Sequence, residues 1–220
     1  MTLQGTNTYI YGSDPALVID PGPADEGHLA AVREAAEARG GLGGVLLTHS
    51  DSDHSEGVAA LGGEPIELTD GESARGLRAV ATPGHAPEHL CFLTGDGVCF
   101  SGDLVLGEGS TIVAPGRGSL AAYMASLRRL QAEEISLMCP GHGPWITNPP
   151  AKLAEYVEHR LMRERRLLAA LRRGERSRSA LLDEVWDDVP ELLRPMAALA
   201  MEAHLEKLEA EGRLTDGLAS

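Results

Sequence analysis

The chain has 220 residues, which is enough to bury one sizeable core with a small appendage. Its composition, 43% hydrophobic and 24% charged, is that of an ordinary globular protein, and no apolar run approaches the ~20 residues that cross a bilayer. The net charge of −14 disfavours non-specific binding to nucleic acid or to an anionic membrane. Because the first residues lack the basic and apolar segments of a signal peptide, we expect a cytoplasmic protein that does not bind membranes.

The first two thirds of the chain alternate short β-like runs with turn residues. Residues 8–11 and 16–19, separated by Gly-Ser-Asp-Pro, predict a hairpin. Helices are predicted over 25–39, 55–61 and 119–130, the last capped by Ser119, and strands over 45–48, 66–68, 77–81, 90–93, 98–100 and 135–138. Grouped strands with interspersed helices favour a layered α/β fold, with sheets inside and helices outside.

The pattern changes at Asn148, where two prolines precede a long helical segment. Helices are predicted over 151–173, 179–186 and 192–211. We therefore predict two parts, a catalytic domain over residues 1–148 and a helical region over residues 149–220.

Eight arginines fall between Arg160 and Arg178. Glutamates interleaved with them favour a solvated helix face held by ion pairs between neighbouring turns. The alternative is a basic patch that binds phosphate, which would make RNA a partner through this region.

Seven potential metal ligands follow apolar runs and stand next to glycine, proline or serine. Four of them lie within the six residues from His49 to His54. Loops at strand ends are where a rigid scaffold can bring side chains together. Imidazole and carboxylate groups bind zinc, iron and manganese, so the pattern predicts a two-metal hydrolytic site. The candidates are His49, Asp51, Asp53, His54, His85, Asp103 and His142.

The motifs that carry these residues are His-x-Asp-x-Asp-His, Gly-His, Ser-Gly-Asp and Pro-Gly-His-Gly. In this order they resemble the signature of the metallo-β-lactamase superfamily, and the resemblance covers about residues 5–147. It implies an αββα sandwich with metal ions at the end where the two sheets meet. Within the superfamily, segments 3–9, 102–111 and 123–127 resemble glyoxalase II-like and lactamase-beta-like proteins. Segments 156–168 and 204–212 resemble the lactamase-beta-like group, which implies a C-terminal helical, winged-helix-like appendage.

The resemblance also implies a role for each ligand. One divalent metal ion would be held by His49, Asp51 and His85, the other by Asp53, His54 and His142, with Asp103 bridging them. Two of these residues are implied to be catalytic: Asp53 would orient the attacking hydroxide, and Asp103 would help to return a proton to the leaving group. Zinc is the metal that we expect first.

Asp51 departs from the superfamily pattern, which usually has a histidine at this position. A carboxylate is a harder ligand and adds a negative charge, so iron and manganese become alternatives to zinc. The extra charge should also make water at the site less acidic. A dimetal site, a single-metal site and a site without hydrolytic activity all stay open.

Four functions fit these observations. The first is hydrolysis of a small ester or thioester, as in glyoxalase II, and the second is single-strand RNA cleavage, as implied for some lactamase-beta-like proteins. A diiron redox module is the third, because flavodiiron proteins have a carboxylate at the position of Asp51. A binding platform with an inactive site is the fourth. Asp103 argues against a β-lactamase, since those members lack the bridging aspartate. We favour a small-molecule ester or thioester as the substrate.

Other polar residues have less specific roles. His28, His159 and His204 are expected at the surface or at helix caps. Asp20 either forms a turn or supports the ligands, and His89 is close enough in sequence to His85 to support it as well. The three cysteines are expected to be small buried side chains.

Overall fold

The computed structural model describes residues 5–63, 65–175 and 177–214. Two sheets pack face to face with helices against both outer surfaces, which is the predicted αββα sandwich. A group of helices follows at the C-terminal end. Residues 1–4 and 215–220, which belong to the two predicted parts, and Arg176 of the arginine run lie outside the described residues.

The first sheet has three strands in the order β1-β2-β3. They span Tyr9–Tyr11, Ala16–Ile19 and Leu42–Leu46. Strands β1 and β2 form the predicted antiparallel hairpin, whereas β2 and β3 are parallel and joined by helix α1, Glu26–Glu37. The side chain of Asp25 caps α1 by accepting from the N–H of His28. Two short helices, α2 (Ser52–Ser55) and α3 (Gly57–Leu61), follow β3.

The second sheet has five strands in the order β4-β5-β6-β7-β8. They span Ser73–Ala74, Leu77–Ala81, Leu90–Thr94, Val98–Gly102 and Leu137–Pro140. Strands β5 to β7 form an antiparallel meander, and β7 and β8 are parallel. Helix α4, Leu120–Gln131, makes the crossover that a parallel pair needs. Ser119 caps α4, as predicted, by accepting from the N–H of Ala122.

Alternation along the strands divides the apolar side chains between the layers. Leu17 and Ile19 of β2 lie between the sheets, where Phe92 and Phe100 of the second sheet join them. Val18 lies on the opposite face and packs with α1. Residues of α4 cover the outer face of the second sheet. The three cysteines are buried and free, as predicted.

The C-terminal region is helical in its described part. Helices α5, α6 and α7 span Pro149–Arg172, Arg178–Val185 and Arg194–Ala210, with a 3-10 helix at Glu191–Leu193. The first half of α5 packs in the sandwich core through Leu153 and Tyr156. Its second half packs with α6 and α7 through Leu167 and Leu171. Because α5 belongs to both cores, the division at residue 148 stays a prediction. No helix among the described residues combines the length and hydropathy needed to cross a membrane.

Two local predictions are wrong. Residues 66–68 do not form a strand, and next to them only Pro65 makes an isolated bridge, with Val45. Their apolar side chains instead pack against the core between the sheets. The helix predicted over 55–61 begins earlier and is divided into α2 and α3 at Glu56. Strand β4, with two residues, is too short to leave a periodic pattern.

The arginine run pairs mainly with other helices and loops rather than with neighbouring turns of α5. The pairs are Arg163–Asp188, Arg166–Asp187, Arg173–Glu184 and Arg178–Glu202. Glu164, expected to pair within α5, instead accepts from Lys207 and Arg213. The expectation of ion pairs between adjacent turns is therefore wrong at this residue. Most of these long-range pairs join α5 and the residue that caps it to the rest of the C-terminal region, and Arg178–Glu202 joins α6 to α7.

His204 is buried, contrary to the surface role expected for it. It is 1% exposed, and its ring centre lies 6.0 Å from that of Trp186. Neither ring nitrogen has a hydrogen-bond partner among the described residues. Burial, followed by the charges of Arg160 and Lys207, lowers the pKa of His204 to about 3. The ring is therefore neutral near pH 7, and folding leaves two polar nitrogens unpaired.

We predict that His204→Leu stabilises the protein, and more so in acid. The substitution removes an unpaired buried polar group, whose cost is about 1–3 kcal/mol. Because the pKa of His204 falls from 6.5 to about 3 on folding, the wild type loses stability as the pH drops below 6.5. This loss reaches about 2 kcal/mol near pH 5, and the variant lacks it. Urea unfolding near pH 7.5 and near pH 5 measures the difference in the free energy of unfolding between the variant and the wild type. A difference that is no larger at pH 5 than at pH 7.5 would contradict the prediction.

Candidate metal centre

The seven predicted ligands converge at one end of the sandwich. They lie in four segments: the loop after β3 with helix α2, the loop between β5 and β6, and the loops that follow β7 and β8. The buried members are His49, His54 and His142, while His85, Asp51, Asp53 and Asp103 are partly buried. The loops therefore supply a ring of imidazole and carboxylate groups that faces a common point.

Three groups of ligand atoms are compact enough to hold a cation, each with its atoms within 4.8 Å of one another. The groups are His49–Asp51–His85, Asp53–His54–His142 and His49–His54–Asp103. Asp103 lies between the first two, with Oδ2 3.9 Å from Nε2 of His85 and 3.4 Å from Nε2 of His142. This position is the one that Asp103 would need in order to contact cations in both groups. The roles of the individual ligands stay predictions.

The donor atoms at the centre fit a cation because several have no other partner. Nε2 of His49, Nε2 of His85 and Oδ1 of Asp103 are buried and lack a hydrogen bond among the described residues. A buried polar atom without a partner is costly, and divalent cations held by the groups above would give each of these atoms a partner. Imidazole with carboxylate is a donor set suited to zinc, iron or manganese.

In His85 and His142, a hydrogen bond at Nδ1 orients the ring so that Nε2 faces the centre of the cluster. Nδ1 of His85 lies 2.7 Å from the carbonyl of Ile112, and Nδ1 of His142 lies 2.9 Å from the carbonyl of Gly5. A carbonyl only accepts, so Nδ1 carries the proton in both rings and Nε2 keeps its lone pair. These contacts fix both the tautomer and the orientation that a metal ligand needs.

Asp20 organises two more of the histidines. Its Oδ2 lies 2.9 Å from Nδ1 of His54 and accepts from Oγ1 of Thr48 at 2.7 Å. Because Thr48 donates to Asp20, its oxygen is free to accept from Nδ1 of His49 at 3.0 Å. The backbone N–H of Thr48 donates to the second oxygen of Asp20. Of the two roles open for Asp20, the structure therefore shows support of the ligand loop.

His89 supports the backbone of Asp103. Its Nδ1 lies 2.8 Å from Oγ1 of Thr82, and its Nε2 accepts from the backbone N–H of Asp103 at 3.2 Å. Burial, followed by the neighbouring His85, lowers the pKa of His89 to about 3. A neutral ring is required for this acceptor role, and it holds the backbone of Asp103 in place.

The glycines beside the ligands are dictated by close packing. A Cβ on Gly141 would lie 2.5 Å from Oδ1 of Asp103, and a Cβ on Gly102 would lie 2.5 Å from Oγ1 of Thr48. Both approaches are closer than real Cβ contacts. Asn7, whose role the sequence leaves open, donates to carbonyls on both sides of His142. The Gly-Asp and Gly-His motifs therefore reflect how tightly the loops converge.

The charges of the cluster depend on one another. Burial disfavours a charged His54, but the carboxylate of Asp103, 3.5 Å from its Nε2, and that of Asp20, which lies 2.9 Å from its Nδ1, raise its pKa to about 10. Burial and the neighbouring histidines lower the pKa of His49. Burial opposes ionisation of Asp103, yet His142 and His54 hold its pKa below the usual range. A cation that binds Nε2 of His54 would therefore displace a proton.

Asp51 has a partner that no sequence pattern indicates. Its Oδ1 is paired with the guanidinium of Arg117, and its Oδ2 lies 3.6 Å from Nε2 of His49 and 3.4 Å from Nε2 of His85. Arg117 balances the negative charge that Asp51 adds to the cluster. The expected decrease in the acidity of water at the site should therefore be partly offset.

A cleft of about 490 Å³ opens over the cluster. Asp51, Asp53, His85, Asp103 and His142 lie at one end of it. The other end reaches α6 and α7, where its wall is mainly apolar. A cleft of this size and composition is typical of small-molecule binding sites.

The sequence matches the family described as "Metallo-beta-lactamase superfamily" over residues 1–65 and 62–142, and the "Beta-lactamase associated winged helix domain" over residues 177–217. The first match covers more than half of the chain, and the chain belongs to the metallo-β-lactamase superfamily. The predicted fold, a sandwich with a C-terminal winged-helix appendage, is thereby confirmed.

Several named proteins are similar to this chain in sequence. Beta-lactamase-like protein 2 homolog of Drosophila melanogaster is 31% identical, covering 97% of this chain and 85% of that protein. Atrochrysone carboxyl ACP thioesterase AgnL7 of Paecilomyces divaricatus is 35% identical, covering 97% of this chain and 77% of that protein. Lactamase-like protein adaB of Aspergillus niger is 38% identical over 79% of this chain, which spans only 61% of adaB.

Solved structures agree with the fold. A metallo-beta-lactamase family protein from Thermus thermophilus has a TM-score of 0.76 at 22% identity, covering 94% of this chain and 89% of that one. The protein TTHA1623 in a di-iron-bound form has a TM-score of 0.55 at 26% identity, covering 70% of this chain and 92% of that one. The higher-scoring match extends into the C-terminal helices.

We predict that Asp20→Ala lowers the affinity for Zn²⁺ by about 10–100-fold, because the orientation of His49 and His54 depends on this carboxylate. Competition with a chromophoric chelator measures the affinity. Asp96→Ala is the matched control, since Asp96 is an exposed aspartate in the turn between β6 and β7. Equal affinities in the two variants would show that Asp20 serves the fold alone.

We predict that Asp51→His raises the ratio of zinc to iron bound when both metals are supplied, because imidazole is the softer ligand. Inductively coupled plasma mass spectrometry after reconstitution gives this ratio. The same change made in an Arg117→Gln background separates the ligand effect from the loss of the ion pair. A metal content that does not change in either background would mean that Asp51 is not a ligand.

Proposed function

We propose that this protein is a metal-dependent hydrolase of a thioester. The observation that carries the proposal is a cluster of seven imidazole and carboxylate groups that opens into a largely apolar cleft. Divalent cations held by these residues would supply Lewis-acid activation of a water molecule and of the carbonyl oxygen of the substrate.

Asp53 is the carboxylate placed to orient the attacking water. Its side chain is 32% exposed, compared with 13% for Asp103, and its Oδ2 lies 3.3 Å from Nε2 of His142. It therefore reaches both the cluster and the cleft. Asp103 lies deeper, between the two groups of ligands, where it would hold the two halves of the cluster together.

A thioester fits this site better than an ester that must expel an alcohol. A thiol has a pKa of about 8.5, so it leaves as a thiolate with little help from an acid. Cations and carboxylates can activate the water, but they are poor proton donors for the alkoxide that an ester would release. The similarity to a protein named as an acyl carrier protein thioesterase supports the same choice.

Single-strand RNA cleavage is the alternative, and it has weaker support. Arg160, at 4% exposed, donates to the carbonyl of Thr111, and Arg163, at 3% exposed, makes a bidentate pair with Asp188. Arginines that are buried and paired offer little charge to phosphates. The net charge of −14 acts in the same direction.

Zinc remains the metal expected first, and iron is the main alternative. The carboxylate of Asp51 beside His49 and His85 supports a harder metal than an all-histidine group would. TTHA1623 in its di-iron-bound form is a relative in fold that supports iron. A diiron redox role would also require an electron donor, and no observation favours one.

The test combines metal analysis with turnover. Untagged protein should contain about two metal ions per chain and hydrolyse a generic thioester. Asp103→Asn should lower kcat/KM by about 100-fold or more and lose metal, because it removes the residue between the two groups of ligands.

A single-stranded RNA is assayed in parallel, at low and at moderate salt. Cleavage of RNA without thioester turnover would replace this proposal with the nuclease alternative. Iron without hydrolysis of either substrate would favour the redox module.

A further inference from the structure

The cleft extends from the metal centre into a pocket that the C-terminal helices build. We name this part the apolar arm, formed by Trp186, Val189, Leu193, Met196, Ala197 and Ala200. These residues come from the end of α6, the segment that follows it and the first half of α7. The arm is therefore part of the same cavity as Asp53 and His142, although its residues belong to the C-terminal helical region rather than to the sandwich.

The apolar arm is held in a fixed shape. Trp186 is 3% exposed, and the guanidinium of Arg163 lies 5.5 Å from the centre of its ring. Arg163 is anchored in turn by Asp188 and by the carbonyl of Val185. On α7, Arg194 pairs with Asp183 of α6. A wall built in this way is formed before any ligand binds, which favours binding.

Polar groups beside the apolar arm are already engaged or uncharged. Arg160 donates to Ser110 and Thr111, and Arg163 is paired as described. Burial, followed by Arg160 and Arg163, lowers the pKa of His159 to about 4, so its ring is neutral near pH 7. The arm thus offers little to a phosphate or to a chain of amides.

We propose that the apolar arm binds the acyl group of the thioester, so that the enzyme selects an apolar acyl chain of medium length. The inference rests on the proposed function. Thiol carriers are rich in amides and phosphates, and burying these without partners would be costly, whereas each buried methylene favours binding. The acyl group therefore lies in the arm, its carbonyl at the metal centre, and the thiol carrier lies toward solvent.

The first experiment is a series of N-acetylcysteamine thioesters with straight acyl chains from acetyl to decanoyl. We expect kcat/KM to rise about fourfold for each added methylene until the arm is full. Ala200→Phe narrows the arm and should move the best substrate to a shorter chain. A kcat/KM that is independent of chain length would overturn the proposal.

Two adjacent leucines give a matched pair of variants. Leu193 lines the apolar arm, whereas Leu192 is 88% exposed and does not line the cleft. Leu193→Glu should lower the ratio of kcat/KM for the octanoyl thioester to kcat/KM for the acetyl thioester by about tenfold or more. Leu192→Glu should not change this ratio. Equal effects of the two variants would contradict the assignment.

A binding measurement separates this inference from the proposed function. Calorimetry with free carboxylic acids of the same chain lengths requires no turnover. Affinity that increases with chain length, and that Leu193→Glu weakens but Leu192→Glu does not, supports the arm even if no thioester is hydrolysed. In that case only the proposed function fails. Affinity that is absent or independent of chain length would overturn the arm.

Discussion

The metal centre depends on one buried carboxylate, that of Asp20. It is 2% exposed, and such a charge is tolerated only where hydrogen bonds replace its water. Thr48 supplies two of these bonds and His54 a third. They tie the end of β2 to the loop that follows β3, and they set the direction of two imidazole rings. The same hydrogen bonds therefore stabilise the local fold and set the geometry of the site.

The sequence predicts which residues converge at this end of the sandwich, because their positions follow from local features. His49 to His54 lie in one short segment, the loop after β3 and helix α2, and each later candidate ligand also follows a strand. Parallel pairs such as β7 and β8 end at the same edge, so Asp103 and His142 must lie near each other. The layered fold is predictable for a related reason, since short apolar runs alternate with capped amphipathic helices.

Features that depend on distant contacts could not be predicted. Arg117 meets Asp51 across 66 positions of sequence, in a loop without periodicity. His204 lies on a helix whose pattern does not distinguish a solvent-facing side from one covered by Trp186. The arginines of α5 suggested an exposed charged face because nothing local shows that Asp187 and Asp188 return to pair with them. Long-range packing, rather than propensity, decides each case.

Helix α5 has a mechanical consequence for the whole molecule. Its first half is buried in the sandwich, and the hydroxyl of Tyr156 accepts from the N–H of Leu106 and donates to the carbonyl of Gly109, in the segment after Asp103. Its second half carries the core that contains Trp186. A continuous helix transmits the loss of one core to the other, because its two halves share one backbone ladder. Heating should therefore melt the sandwich and the C-terminal helices in a single cooperative transition, and the cleft between them would be lost in the same transition.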